Sequence, residues 1–433
     1  MRAPLSVRNR RATLLATCGL LCLGPGACDR DRNREKDTAS APFPASRSVE
    51  RTSYEAVTSR LDRGGRVFAY WSTESWLEDL SDGVEEWKEA VLEWRALPSP
   101  QRVRIERMFN VAGRLIRNSG LEQISGVGLS TISLEPDLYH TRTMLHHHSG
   151  NDRGYLWSLF GKSAHPLQAL DLLPADTALA VVTDLNLPLL WAAVEQELTQ
   201  IDLPETREWV RRFPARFEER TGLKFYRMLA SLDGECGFIL TLDSERTFTM
   251  PLPSGEEVAL PEPGLVLVVR VKDDTLFNRV SDWLASGEHA RGSETNPIRR
   301  LSLPAPDSLP LPLAPALVRS GNYLLLASTG RLMDEVLAVQ GGARPGLKHS
   351  EEFQRLSLRV PTEGNRFTFV SRRLGDSLGT LGDRMMTGPN TRAAERRLLR
   401  GFLNPDQFSG SWSVWSRVEQ GWFRVGNSNR AIT

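Results

Sequence analysis

Residues 171–182 read DLLPADTALAVV, and this stretch sets the pattern for the rest of the chain. Pro174 fixes one backbone dihedral in a turn, and the apolar run from Thr177 to Val182 has the composition of a short buried strand. Apolar side chains then recur at helical spacing over residues 187–200, which predicts an amphipathic helix. The same order of strand, polar turn and helix returns along the chain. The sequence therefore predicts an α+β fold, with mixed and largely antiparallel sheets covered by helices.

Two long stretches share one plan. In the first, a strand at 66–71 precedes helices at 75–95 and 99–120, and a strand begins at 124. In the second, the strand after Thr177 precedes helices at 187–200 and 204–220, and a strand begins at 237. This order predicts an internal strand-helix-helix-strand duplication. Hairpins are expected around residues 135–137 and near the C-terminus, where strands at 412–418 and 422–425 flank a short turn.

The N-terminus has the pattern of an export signal. Four arginines within the first eleven residues precede the apolar run 12–23, and small residues then precede Cys28. This resembles a bacterial lipoprotein signal, in which the cysteine is lipidated and becomes the first mature residue, although Pro25 stands where such signals carry leucine. An ordinary secretory signal cleaved near Ala27 is the alternative. We expect the periplasmic face of a bacterial membrane, with the membrane itself a partner through the lipid.

Composition shifts along the chain predict four parts. Residues 1–27 are the signal, and 28–55, charged and rich in proline, form a disordered tether. Residues 56–168 form a first α+β unit and 169–433 a second, larger one. Two of the four cysteines lie in the signal and Cys28 is expected to carry lipid, so Cys236 has no partner for a disulfide.

Charge argues against one class of function. The chain has 54 Lys and Arg residues against 53 Asp and Glu, a net charge of +1. No basic block stands out, whereas a nucleic-acid-binding protein carries clustered Lys and Arg. We therefore expect no nucleic-acid partner, and an envelope protein or ligand that the sequence does not identify.

Two strings match catalytic motifs only in part. Residues 375–379 read GDSLG, the spacing of a serine-hydrolase nucleophile, but in both hydrolase classes that use it the histidine follows the serine. His349 is the last histidine, so Ser377 has no base downstream. Gly161-Lys162-Ser163 resembles a phosphate loop, yet Leu156 occupies the position of its first glycine. We predict no catalytic residue and no cofactor from either string.

Histidines supply the one candidate metal site. Five of the seven histidines fall in one short region: His140, His146, His147, His148 and His165. On a strand, His146 and His148 share a side, which is a two-ligand start for zinc or copper. The alternative is that these histidines pack within, or on the surface of, a hairpin.

Three short sequence segments resemble those of a known protein family. Residues 172–177, 265–273 and 323–328 read LLPADT, LVLVVRVKD and YLLLAS, and the run 126–173 adds to them. Together they resemble an exported bacterial family catalogued as a domain of unknown function, with relatives of verrucomicrobial type. The resemblance implies an uncharacterised envelope lipoprotein and supplies no catalytic residues.

The sequence leaves three hypotheses for the function. We expect a cell-envelope lipoprotein with a noncatalytic binding or structural role. An envelope hydrolase or metalloenzyme using the histidine region is the first alternative. The solute-binding component of a transporter is the second, because duplicated lobes around a cleft would suit that role.

Overall fold

The structure, a computed structural model, describes residues 52–77, 79–94, 98–150, 152–201, 204–251, 257–285, 292–295, 298–303, 313–387 and 408–431. The predicted signal, Cys28 and the tether up to residue 51 lie outside these ranges. Residues 53–55, which the sequence assigned to the tether, begin the first described helix, which the Thr52 side chain caps.

The described strands are β1 Val67–Ser72, β2 Ile124–Glu135, β3 Leu138–His147, β4 His165–Pro166, β5 Thr177–Asp184, β6 Leu232–Pro251, β7 Glu257–Val271, β8 Gly292–Thr295, β9 Ile298–Ser302, β10 Ala316–Ser320, β11 Tyr323–Ala327, β12 Glu363–Gly364, β13 Arg366–Val370, β14 Ser411–Val418 and β15 Gly421–Ser428. The described α-helices are α1 Ser53–Thr58, α2 Glu74–Leu77, α3 Leu80–Trp94, α4 Ser99–Ser119, α5 Tyr155–Ser158, α6 Leu187–Thr199, α7 Pro204–Thr221, α8 Phe225–Ser231, α9 Thr275–Ala285, α10 Gly330–Gln340, α11 Glu351–Leu356 and α12 Arg372–Thr387.

Within the described ranges, thirteen strands form one sheet in the order β1-β2-β3-β15-β14-β13-β5-β6-β7-β11-β10-β9-β8. Each pairing between neighbours in this order is antiparallel, as are the two short strands β4 and β12 of a separate pair. The predicted α+β class is confirmed.

The two predicted units share this sheet. β3 of the first unit pairs with β15 near the C-terminus over eight residues, from Gly421 opposite His146 to Ser428 opposite Tyr139. β4 likewise pairs with β12 across the proposed boundary at residue 168. The cause is the C-terminal hairpin β14–β15, which enters the sheet between strands that are distant in sequence.

Helices cover both sides of the sheet. On the side that we call face A, the largest core packs Val182, Phe367 and Trp412 against α10 and α11. On face B, α6, α7 and α8 pack on the end of β7, α9 packs on β10 and β11, and α12 packs on β5 and β6. Face assignment follows from the period of two along each strand.

Local signals placed most elements well. The turn between β2 and β3 has a positive φ of 56° at Asp137, and Gly120 ends α4 with a φ of 84°. Thr329 caps α10, where its hydroxyl accepts from the Leu332 amide at 3.2 Å. The single helix predicted at 75–95 is found as two helices, α2 and α3. The Ser81 amide near the start of α3 donates to Glu122 Oε1 at 2.8 Å.

The predicted duplication has a topological parallel. β1 pairs directly with β2, and β5 pairs directly with β6, so each proposed copy closes on adjacent strands. The second copy carries an additional helix, α8, before its closing strand. The duplication stays a prediction.

Candidate functional site

The histidine region lies at the end of β3. His146 and His147 are its last two residues, both are 1% exposed, and they point to opposite faces of the sheet. His148 follows the strand. The rings of His146 and His148 stand edge to face with centroids 5.5 Å apart, so the structure brings together the two predicted metal ligands.

The ring nitrogens of His146 and His148 differ in their hydrogen-bond partners. His146 Nδ1 lies 2.7 Å from the Ser125 hydroxyl, while its buried Nε2 has no hydrogen-bond partner among the described residues. Burial lowers the pKa of His146 to about 4, so the ring is neutral near pH 7. His148 Nε2 lies 2.8 Å from Glu74 Oε1 and is paired with that carboxylate.

This arrangement supplies two imidazoles and one carboxylate that is already engaged. Within the described ranges, no group of three His, Cys, Asp or Glu side chains is arranged to hold a metal ion. Ser125 and His146 resemble a nucleophile and its base in spacing alone. The serine is 4% exposed, and a histidine whose pKa is about 4 is a weak proton acceptor.

His147 serves a different, structural contact on face B. Its Nδ1–H donates to the His148 carbonyl at 2.8 Å, and its Nε2 accepts from Arg417 at 3.1 Å. Arg417 also donates to the carbonyls of Val418 and Gly421, at 3.0 and 2.8 Å. The guanidinium lies 5.4 Å from the ring centroid of Trp157. These contacts fasten the turn between β14 and β15 to β3.

His140 is likewise committed to packing. Its Nδ1–H donates to Asn427 Oδ1 at 2.7 Å. The Asn427 amide is oriented by donating to the carbonyls of Leu356 and Leu358, at 2.8 and 2.7 Å. His140 thereby links β3 to β15 and to the segment after α11, and burial lowers its pKa.

His165 lies apart from the other four histidines. It forms a polar network where β5 ends, and sequence reasoning did not find the other members of that network. Its Nε2 donates to Asp184 Oδ1 at 2.9 Å and its Nδ1 donates to the Pro166 carbonyl at 3.0 Å. The hydrogen bond to Asp184 raises the pKa of His165 to about 9, so the ring is an imidazolium with both nitrogens engaged. Asn365 Nδ2 donates to Asp184 Oδ2 at 2.9 Å and to the Ser163 carbonyl at 2.7 Å.

A buried acid adjoins this network. Glu235 is 5% exposed, stands opposite Asp184 in the pairing of β5 with β6, and accepts from the Tyr323 hydroxyl at 3.0 Å. Arg270 approaches the same carboxylate at 3.7 Å and Asp233 at 3.0 Å. Burial raises the pKa of Glu235 and, next to it, of the Cys236 thiol. A thiol with a raised pKa is a poor nucleophile.

The two catalytic strings do not adopt the geometry of their motifs. Residues 375–379 lie inside α12, whereas a nucleophile elbow needs a sharp turn from strand to helix. Leu374 and Leu378, which flank Ser377, pack on face B. Gly161 has a φ of 98° and precedes a bend and β4, so no helix N-terminus follows it to hold a phosphate.

An open pocket of about 480 Å³ lies beside α10, lined by Arg246, Arg331, Asp334, Glu335, Ala338 and Arg344. One of its three arginines is engaged elsewhere, because Arg331 donates to Asp243 and Glu262, both at 2.9 Å. A solute-binding cleft is apolar with a few convergent polar groups, which this charged surface does not resemble.

Sequence spacing could not reveal the network around His165. Asp184 and Asn365 are 181 residues apart, and Glu235 and Tyr323 are 88 residues apart. The sequence feature that could have indicated this network is an acidic residue at the end of each of two strand segments, Asp184 and Glu235. That feature becomes informative only once the pairing of β5 with β6 is known.

Comparison with known proteins adds no family. The chain matches no family model, no curated protein and no solved structure. No helix in the described part of the chain combines the length and the apolar character needed to cross a bilayer.

Proposed function

We propose that this chain is a cell-envelope lipoprotein with a noncatalytic binding or structural role, anchored through a lipid on Cys28. We also propose that it belongs with the exported bacterial family that its phrases 172–177, 265–273 and 323–328 resemble. The unknown partner is an envelope protein or ligand, and nucleic acid is not among the expected partners.

One observation carries the noncatalytic part of the proposal. Two histidines that could serve as a base, His147 and His165, are engaged in holding strands together. His165 donates from both nitrogens, at 2.9 and 3.0 Å, and His147 uses one nitrogen to donate and the other to accept. A general base needs a free lone pair within reach of substrate, and neither ring offers one.

Membrane fractionation tests the anchor. We expect the wild-type protein to stay with membranes through a high-salt or alkaline wash and to be released by detergent. The Cys28→Ser variant should appear in the soluble fraction, whereas the matched control Cys236→Ser should stay with membranes. Release of the wild type by salt alone would oppose a lipid anchor. A pull-down of the tagged protein from detergent-solubilised membranes then addresses the partner.

A second candidate function rests on His146. Its Nε2 is buried and finds no partner in the part of the chain that the structure describes, and the ring of His148 stands 5.5 Å away. An envelope hydrolase or metalloenzyme would use this pair. That reading predicts an activity lost in the His146→Ala, His148→Ala double variant and retained in His349→Ala, which changes an exposed histidine outside the region.

A further inference from the structure

Helices α3 and α4 form a helical hairpin that is only half covered. α3 packs mainly on α4, and Lys88 Nζ donates to Asn110 Oδ1 at 3.1 Å between them. Every described apolar side chain on either helix is half-buried or exposed. Trp87 is 43% exposed, Met108 62% and Leu115 45%. The apolar stripe of a surface helix normally faces the protein core.

α4 carries two apolar stripes instead of one. Ile105, Phe109, Ala112 and Ile116 follow helical spacing and are half-buried. Met108, Val111 and Leu115 follow the same spacing on another side of the helix, and two of these three are exposed. The second stripe therefore has too little cover in the described part of the chain.

The two helices have opposite charge. α3 has five acidic residues and one lysine, a net charge of −4, while α4 has five arginines and one glutamate, a net charge of +4. Within the described residues, no ion pair joins the acids of α3 to the arginines of α4, and Arg114 pairs instead with Glu197 on α6. Arg102, Arg104 and Arg117 are exposed.

We propose that a second copy of this chain covers the hairpin. In a two-fold dimer, acidic α3 of each copy would lie along basic α4 of the other, and the exposed stripes would meet in a four-helix bundle. The charges favour this occupant over an anionic membrane, because the two helices together have no net charge and α3 would be repelled. The inference does not depend on the proposed function.

Oligomeric state in solution tests this directly. The chain beginning at Asp29 lacks the predicted signal and Cys28, so its mass by light scattering reports the body alone. We expect a dimer at micromolar concentration. The Met108→Ser, Leu115→Ser variant should dissociate with a Kd raised at least about tenfold. A matched control, Leu358→Ser, changes an apolar side chain that is 41% exposed elsewhere and should leave the dimer intact.

Charge reversal supplies a second test, and unfolding of the hairpin would not produce the result expected from it. One variant makes α3 basic (Glu86→Lys, Glu89→Lys, Glu93→Lys), and another makes α4 acidic (Arg102→Glu, Arg104→Glu, Arg117→Glu). Each should be monomeric alone because like charges then face each other. Mixing the two should restore a dimer, since both interhelical contacts become attractive again.

Three results would overturn the inference. The first is a wild-type monomer at all concentrations tested. The second is a dimer that the serine substitutions leave unchanged. The third is a monomer that binds anionic vesicles through the same stripe, which would make the membrane the occupant.

Discussion

His165 Nε2 lies 2.9 Å from Asp184 Oδ1, and this contact joins the β4–β12 pair to the end of β5. The pKa of His165 is raised to about 9 from an ordinary value of 6.5, mainly by this hydrogen bond. A raised folded-state pKa stabilises the protein below pH 6.5, and that contribution is lost as pH rises through 9.

We therefore predict that His165→Gln lowers the free energy of unfolding by about 1–2 kcal/mol at pH 6, a value discounted for partial solvent exposure. The difference between variant and wild type should shrink by pH 10, where the wild-type ring is neutral. Urea unfolding at both pH values measures it. A difference that is the same at pH 6 and pH 10 would contradict a charged His165.

His146 should show the opposite dependence on pH. Burial lowers its pKa from 6.5 to about 4, so folding holds the ring neutral while the unfolded chain takes up a proton. Its contribution is intact above pH 6.5 and is lost as pH falls through 4. We expect the wild type to lose about 1–3 kcal/mol more than His146→Asn between pH 7 and pH 4. The exposed His349→Asn variant is the control, and equal acid slopes in all three proteins would be evidence against a buried neutral His146.

The sequence predicted structural features that depend on neighbouring residues, and it did not predict contacts between residues far apart in the chain. The turn at Asp137 and the end of α4 near Gly120 are local, and the sequence predicted both correctly. The order of the strands was not predictable, because strands that pair are far apart in the sequence. β3 pairs with β15, which lies nearly 300 residues later in the chain. The hydrogen bond between His140 and Asn427 likewise joins residues 287 positions apart. Periodicity assigns a residue to one side of a strand, but it does not name the strand beside it.

In the histidine region too, the sequence predicted the local arrangement and did not predict the contacts with other elements. Alternation along a strand placed His146 and His148 together, as the 5.5 Å ring separation shows. Spacing did not indicate that Ser125 and Glu74 would contact these two rings from other elements. It also grouped His165 with the other histidines, although the fold carries it to the end of β5.

We predict that the purified protein holds less than one transition-metal ion per chain. In the described histidine region Glu74 is paired with His148, and no group of three His, Cys, Asp or Glu side chains there is arranged to hold a metal ion. Structural zinc usually takes four protein ligands. Elemental analysis after dialysis against a weak chelator measures the content. One zinc or copper per chain, lost in the His146→Ala, His148→Ala variant, would instead favour the metalloenzyme.

The most direct measurement of the proposed role is metabolic labelling with a palmitate analogue. Cys28 and Cys236 are the cysteines outside the apolar run of the signal, which makes Cys236→Ser a matched control. We expect label on the wild type and on Cys236→Ser, and none on Cys28→Ser, because the proposed lipoprotein signal would place the lipid on Cys28. Undiminished label on Cys28→Ser, or none on the wild type, would contradict a lipid-anchored envelope protein.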